Sequence, residues 1–286
     1  MKKQLLLLII SILFVNISVF AQVDSVKLKE IEKTRTESGV DPTRVSSRFG
    51  YTFEILKPTE GDAFRFNNNM KLTFGVSKWS LKVETRISAL YDGQEGSEVT
   101  SGISDFKLGI NNAFLVSGKH ALAGGFDLSA PTGAKGFNNQ ALTIQPNIAY
   151  AYNINPMLIF AVNPQYTRTI WRNKDVPMQD ILTIRPFFAL FLPSGIFGVI
   201  ESRSQYDFTS KKYDFIISPI IGGSIGGGFN LAFILEIPTK QETLNDYGIL
   251  GKFGVQKHYR LLFKPALSFG FSTNLRQAIC FHQNLL

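Results

Sequence analysis

The chain has 286 residues, of which 44% are hydrophobic and 13% are aromatic, and its formal net charge is +8. The basic residues are scattered along the chain and do not form the concentrated patch of a nucleic-acid groove, so no nucleic-acid partner is predicted. The only cysteine, Cys280, excludes an intramolecular disulfide.

Residues 1–21 have the pattern of a secretory signal peptide. Lys2 and Lys3 precede the apolar run Leu5–Val15, and in Val19-Phe20-Ala21 small residues stand at the positions that a signal peptidase reads. Cleavage is expected after Ala21, and Cys280 lies too far from that point to carry a lipoprotein anchor. Past this segment, no run approaches the roughly 20 uninterrupted apolar residues that a membrane-spanning helix needs.

Residues 22–46 are predicted to be a polar segment in the periplasm. Ser25 is a candidate N-cap, Lys27–Lys33 is charged, and Gly39 and Pro42 would end a short helix. A mobile leader is the favoured interpretation, and a plug that enters a barrel lumen is the alternative.

Residues 47–286 are predicted to form one outer-membrane β-barrel domain, because apolar and polar side chains alternate there with a period of two. Between Met70 and Ser77, for example, every second residue is apolar and the residues between are small or polar. Successive side chains of a strand point to opposite faces, so such a segment has one apolar and one polar face. The aromatic excess fits a lipid-facing band flanked by aromatic girdles.

The alternation predicts an all-β fold, a transmembrane up-and-down antiparallel barrel of about twelve strands. The strands are expected near Ser47–Lys57, Asn68–Ser77, Trp79–Tyr91, Ile103–Val116, His120–Ala130, Ala141–Tyr152, Met157–Trp171, Asp180–Leu192, Ile196–Tyr206, Tyr213–Ile221, Phe229–Ile237 and Tyr259–Phe271. A fourteen-stranded barrel is the alternative. It would add Tyr247–Gln256 and a strand through Leu275–Phe281.

Connection lengths favour a barrel over a soluble sandwich. Short turns are predicted at Ser77-Lys78, Ser117–Lys119, Asn153–Pro156, Pro193–Gly195 and the glycine-rich Gly222–Gly228. Longer loops are predicted at Pro58–Asn67, Asp92–Gly102, Pro131–Gln140, Arg172–Gln179 and Pro238–Asp246. Short periplasmic turns interleaved with longer outer loops are typical of up-and-down barrels.

Assigning the more apolar face of each strand to lipid predicts the residues that line the lumen. They are Lys82, Glu84, Arg86, Asp105, Lys107, Asp127, Gln145, Asn147, Asn163, Gln165, Arg185, Phe187, Phe191, Glu201, Arg203, Asn230 and Glu236. Mixed acids and bases on this face would either fill the barrel as ion pairs or form a polar wall along which a solute moves. Phe187 and Phe191 would suit an apolar or aromatic solute, or they would fill the core.

Motifs for catalysis, metals or cofactors are nearly absent, so no enzyme, metal site or cofactor is predicted. The three histidines are His120, His258 and His282, and no metal-ligand spacing, nucleophile elbow or phosphate loop accompanies them. A lipid-modifying enzyme would need a serine and a histidine close together near the lipid interface. It is the least favoured interpretation.

Two segments resemble a known family. Ser101–Leu115 followed by Ala123–Gly133 resembles the MetA-pathway of phenol degradation family of outer-membrane barrels, in which a G-x-G-D strand precedes a strand that ends in P-T-G. Asp105 stands for the family aspartate, and Pro131–Gly133 match the P-T-G. Pro146–Tyr166 looks like the next hairpin. The resemblance implies an outer-membrane protein that passes small hydrophobic or aromatic compounds, and it implies no catalytic residues.

The sequence therefore predicts a passive channel or uptake protein in the outer membrane for small, hydrophobic or aromatic molecules. A structural or interaction barrel with a filled lumen is the alternative. The expected partners are outer-membrane lipids, a small-molecule solute and, during biogenesis, the barrel assembly machinery.

Overall fold

A computed structural model describes residues 25–57, 63–91, 93, 98–137, 139–242 and 248–259. The predicted signal peptide, residues 1–21, lies outside these residues. Within the described part of the chain, no helix combines the length and the apolar character that crossing a membrane requires.

The described chain contains one helix and thirteen strands. Their bounds are α1 Ser25–Ser38, β1 Ser47–Lys57, β2 Phe64–Val76, β3 Trp79–Tyr91, β4 Thr100–Ile103, β5 Phe106–Ser117, β6 His120–Ala130, β7 Ala141–Asn153, β8 Leu158–Arg172, β9 Asp180–Phe191, β10 Ile196–Asp207, β11 Lys212–Gly226, β12 Phe229–Lys240 and β13 Ile249–Tyr259. All pairings between strands are antiparallel.

The sheet closes into a barrel because β1 pairs with β13 on one side and with β2 on the other. Closure leaves no open edge and makes a ring of twelve strands, with the short β4 outside the ring. The predicted transmembrane up-and-down barrel of twelve strands is confirmed. The fourteen-stranded alternative is wrong, because the direct pairing of β1 with β13 leaves no place for two more strands.

The predicted strand Ile103–Val116 is divided in the structure. Residues Trp79–Glu84 of β3 pair with β5, whereas Ile87–Leu90 pair with β4, and Ser104 and Asp105 separate the two partners. The sequence pattern does not show this interruption, since both sides of it alternate.

The closing strand was misplaced by the sequence pattern. The sequence predicts Tyr259–Phe271 as the closing strand, but β13 ends at Tyr259, and residues 260–271 lie outside the described part. The segment Tyr247–Gln256, held only as an alternative, contains most of the real strand. Its regular pairing with both β1 and β12 selects it.

The two ends of the barrel differ. At the terminal end, where β1 begins and β13 ends, the connections are short, such as Ser77-Lys78 and Gly227-Gly228. At the opposite loop end most connections are longer, as predicted, but residues 208–211 join β10 to β11 by a short turn. The strict interleaving of short and long connections is therefore broken once.

The predicted glycine-rich turn Gly222–Gly228 is also shorter than expected. Strand β11 runs to Gly226, and the turn proper is Gly227-Gly228. Gly222 is a strand residue that pairs with Phe197 and Ala232, and a Cβ at that position would overlap the Phe197 ring. Here glycine makes room for a neighbouring aromatic side chain and does not mark a turn.

The outer face of the barrel is apolar and exposed. Trp79, at the terminal end, and Trp171, at the loop end, are 50% and 53% exposed, and large apolar residues between these two levels are exposed as well. Exposed apolar side chains with aromatic residues at both ends are the pattern of a lipid-facing band.

Candidate functional site in the barrel lumen

The inner face of the barrel carries the polar side chains. On β3, for example, Trp79 and Leu81 are exposed on the outer face, and the alternate residues Lys82, Glu84 and Arg86 point the other way. The predicted lumen residues that lie in strands all belong to this inner face. Asp105 differs, because it lies between β4 and β5.

One group of ion pairs crosses the inner face from β9 to β12. The guanidinium of Arg185 donates to both carboxylate oxygens of Glu201, at 3.0 and 2.8 Å. Arg203 lies 3.8 Å from Glu201 and donates to Glu236 at 2.8 Å. Because Arg203 is on β10 and Glu236 on β12, this contact spans β11 and must run through the lumen.

The same group continues onto β13 and β1. Lys252 contacts Glu236 at 2.9 Å and Glu54 at 3.2 Å. Glu54 in turn accepts a hydrogen bond from Asn67 at 3.1 Å, and Asn67 accepts one from Ser88 at 2.8 Å. We call this group the polar belt; its members are Arg185, Glu201, Arg203, Glu236, Lys252, Glu54, Asn67 and Ser88. Sequence reasoning missed Lys252 because it treated β13 only as an alternative strand.

A second ion pair lies on the other side of the lumen. Lys82 on β3 contacts Asp127 on β6 at 2.5 Å, with side chains that are 15% and 12% exposed. Strand β5 lies between the two, and the pair crosses it at Gly109, where a Cβ would overlap Asp127 Oδ1 and lie 2.8 Å from Lys82 Cε. Glycine at this position is what allows the pair to form.

Amides form the next sector of the wall. Gln145 on β7 donates to Thr167 at 2.9 Å and to Gln165 at 3.4 Å on β8. Asn147 pairs in register with Gln165, and Asn163 with Arg185. The register therefore places neutral polar residues beside Arg185, a charged group of the polar belt.

Helix α1 lies inside the terminal end of the barrel. Ile31 is fully buried in one apolar cluster with inner-face residues that include Phe187, Phe191 and Phe197. Phe191 is fully buried and Phe187 is 8% exposed. Of the two interpretations of residues 22–46, these contacts agree with the plug. The same contacts place Phe187 and Phe191 in the apolar core between the helix and the wall.

Polar contacts also hold the helix and the turn after it. Arg35, which is 3% exposed, donates to Asp41 at 2.8 Å and to Asn153 of β7 at 2.7 Å. The carbonyl of Glu37 accepts from Asn230 at 3.3 Å and from Gln256 at 2.5 Å. Asn230 therefore binds the plug. Carbonyls at the end of a helix lack partners within the helix, so wall side chains that donate to them stabilise its docking.

The loop end holds a polar cavity of about 340 Å³. It is lined by residues of β2, β3, β5 and β6 and by the connections between β4 and β5 and between β6 and β7. The side chains with charge are Arg65, Glu84, Arg86, Asp105 and Lys107, and the neutral ones include Ser88, Ser104, Ser129, Phe137 and Asn139. Sequence reasoning missed Arg65, although its place one position from the outward-facing Phe66 indicates the inner face.

Asp105 binds a loop as well as lining this cavity. Its carboxylate oxygens accept hydrogen bonds from the backbone N–H of Gly133 at 3.1 Å and of Asn139 at 2.8 Å. Thr132 accepts from the backbone N–H of Phe106 at 3.0 Å. The aspartate and the P-T-G segment that carry the family resemblance are therefore in direct contact.

The histidines do not assemble a catalytic group in the described residues. His120 shares a hydrogen bond of 2.8 Å with Tyr150 on the outer face, and His258 lies 3.9 Å from Glu37 of the plug. His282 lies outside the described residues. No cluster of three histidine, cysteine, aspartate or glutamate side chains occurs within the described ranges.

Comparisons with solved structures identify similar barrels. The COG4313 outer membrane channel from Pseudomonas putida F1 is similar with a TM-score of 0.60 and 10% identity over 75% of this chain and 96% of that one. The KdgM porin has a TM-score of 0.53 and 9% identity over 74% and 99% of the two chains. The NanC porin has a TM-score of 0.53 and 10% identity over 76% and 100%.

At these identities the likeness shows a shared fold. No protein-family model matches the sequence, and no curated protein matches it. The resemblance to the MetA-pathway of phenol degradation family therefore stays a prediction. What this chain and the similar structures have in common is the closed antiparallel β-barrel fold.

Proposed function

We propose that this protein is an outer-membrane channel through which small molecules diffuse passively. The observation that carries the proposal is the polar inner face, on which ion pairs and amides surround the lumen, together with the polar cavity at the loop end. Proteins described as porins and as a channel share this fold, which supports the same interpretation. The proposal includes no catalytic step.

The plug bears directly on how such a channel would conduct. Helix α1 occupies the terminal end, and its contacts with the wall combine one buried apolar side chain, Ile31, with the polar anchors at Arg35 and Glu37. Passage requires a solute to move past the helix or the helix to leave its place. Slow permeation is therefore expected.

The solute class predicted from the sequence is hydrophobic or aromatic, and it remains a proposal. Phe187 and Phe191, which motivated it, pack around Ile31 of the plug. They are available to a solute only when the helix moves. The aromatic class is thus tied to plug movement and is tested together with it.

Conductance measurements test the channel. We expect the refolded full-length mature protein to give small current steps in planar bilayers, and the variant Ile31→Asp to give larger or more frequent ones. A buried aspartate is costly without a partner, so it drives the helix from the wall. If neither protein passes current while both migrate as folded, heat-modifiable barrels, the channel proposal fails.

A solute series tests the predicted class. Liposomes that contain the protein are compared for uptake of small aromatic alcohols and of sugars of similar size. Faster uptake of the aromatic members, increased further by Ile31→Asp, would support the hydrophobic or aromatic class. Equal rates would contradict it while leaving the channel intact.

A structural barrel with a filled lumen is the second candidate, favoured by the plug and the polar belt. In that role the lumen residues only support the loops. Absence of conductance in both the wild type and Ile31→Asp would favour this candidate over the channel.

A further inference from the structure

The basic residues of the lumen are concentrated on one wall. Strands β2, β3 and β5 carry five bases and a single acid on their inner face: Arg65, Lys71, Lys82, Arg86, Lys107 and Glu84. We call this the basic wall. Its central strand, β3, lies opposite β10 in the ring of twelve.

The opposite wall has the reverse balance. On β10, β11 and β12 the inner-face acids are Glu201, Asp207, Asp214 and Glu236. They exceed the bases Arg203 and Lys212 of the same face. A solute in the lumen therefore lies between a positive and a negative wall, and an anion is attracted to the β2–β5 side.

The bases of the two walls also differ in their partners. On the opposite wall Arg203 contacts Glu236 at 2.8 Å, and on the adjoining strand β9 Arg185 contacts Glu201 at 2.8 Å. In contrast, Arg65, Lys71 and Lys107 have no hydrogen-bonded or ion-paired partner among the residues that the structure describes. Inward-pointing cations that have no hydrogen-bonded carboxylate keep their N–H donors available for a ligand.

The single acid of the basic wall does not neutralise it. Glu84 pairs in register with Lys71 on β2 and with Lys107 on β5, so one carboxylate stands between two ammonium groups. The next inward position of β3 is Arg86, whose Nε donates one hydrogen bond to Asn69 Oδ1 at 2.6 Å. The rest of its planar fork of donors is suited to a carboxylate.

The second acid of the cavity, Asp105, already accepts hydrogen bonds from the backbone. Both oxygens of Asp105 accept backbone hydrogen bonds from the connection between β6 and β7. Side-chain donors remain on Ser88, Ser129 and Asn139 around the same space. At about 340 Å³, the cavity is at the small end of the range for ligand sites.

We propose that the loop-end cavity binds the carboxylate of a small organic acid, with Arg86 and Lys107 as the ligand-binding cations and Arg65 at its mouth. The binding site is defined by the cavity itself. Only its role in the passage of a solute rests on the proposed channel. Lys71, one step further along the basic wall, would receive the anion as it moves inward.

Equilibrium binding tests the site without any measurement of current. The full-length mature protein in detergent is titrated with benzoate, with its uncharged analogue benzamide and with inorganic phosphate. We expect benzoate to bind about tenfold more tightly than benzamide, since a charged hydrogen bond contributes about 1.5–3 kcal/mol. Equal binding of the two, or phosphate binding as tight as benzoate, would overturn the carboxylate assignment.

Substitutions locate the site. Arg86→Gln and Lys107→Gln should each weaken benzoate binding about tenfold, and Lys107→Arg should retain it. The control is Lys174→Gln, which removes one charge from an exposed loop at the same end of the barrel. If Lys107→Gln binds benzoate as the wild type does, or if Lys174→Gln weakens binding equally, the site is wrong.

The two proposals fail separately. Charge-dependent benzoate binding by a barrel that passes no current would overturn the channel and leave the site. Current without charge-dependent binding would overturn the site and leave the channel.

Discussion

The carboxylate of Asp105 accepts a hydrogen bond from the backbone N–H of Gly133 at 3.1 Å, across 28 residues of sequence. Its other oxygen accepts from Asn139 at 2.8 Å, so one side chain holds both ends of the connection between β6 and β7. That connection forms part of the cavity lining. Asp105 therefore shapes the mouth of the lumen by fixing a loop.

Replacing Asp105 should release this loop. In Asp105→Ala two backbone N–H groups lose a charged acceptor, each worth about 1.5–3 kcal/mol. Lys135 is exposed within the loop, so trypsin should cleave after it at least tenfold faster than in the wild type. Asp175→Ala, in an exposed loop, is the control. Unchanged cleavage after Lys135 would contradict the role of Asp105.

The contact between Gly109 and the Lys82–Asp127 pair leads to a stability prediction. In Gly109→Ala the new methyl group displaces a largely buried ion pair, and the free energy of unfolding should fall by about 1–3 kcal/mol. Urea titration of the refolded barrel measures this change. Gly251→Ala is the matched control, since a Cβ there meets no atom within 4 Å. Equal losses in both variants would refute the steric argument.

Glu236 in the polar belt holds two cations, because Arg203 and Lys252 contact it at 2.8 and 2.9 Å. Its side chain is 3% exposed, so Glu236→Gln leaves two cations short of a buried counter-charge. We expect a loss of about 2 kcal/mol or more in unfolding free energy. Glu242→Gln, which removes a carboxylate that is 41% exposed, should cost less than about 1 kcal/mol. Similar losses would show that the belt does not stabilise the barrel.

The strands and their faces could be predicted because each depends on local alternation. For example, the alternation of side chains along β9 is enough to place Phe187 and Phe191 on the inner face. Whether they meet a solute or a packing partner depends on Ile31, more than 150 residues earlier in the chain. No local sequence pattern predicts the contact between Ile31 and these phenylalanines. The polar helix α1 shows no clear amphipathic pattern, and its place depends on buried Ile31 together with the polar contacts of Arg35 and Glu37.

The closing strand shows a different limit. Ile249, Gly251, Phe253 and Val255 of β13 alternate too, so the local pattern does not decide between this segment and the one that begins at Tyr259. What selects β13 is pairing with β1, which lies 200 residues away and has a complementary register from Ser47↔Tyr259 to Lys57↔Ile249. Closure depends on the pairing of all twelve strands, so the alternation within one segment does not predict which strand closes the barrel.

The docking of α1 can be tested at its single buried apolar residue. Ile31 is fully buried against the barrel wall, so Ile31→Ala should weaken docking by about 2–4 kcal/mol through lost burial and a new cavity. Backbone amides of residues 31–35 should then exchange with solvent at least tenfold faster. Val26→Ala, on the same helix but 65% exposed, is the matched control and should leave exchange unchanged. Because β-strand amides report on the barrel itself, their unchanged protection in Ile31→Ala would show that the helix alone has been released. Equal effects of the two substitutions would mean that packing of Ile31 does not hold the helix in the terminal end.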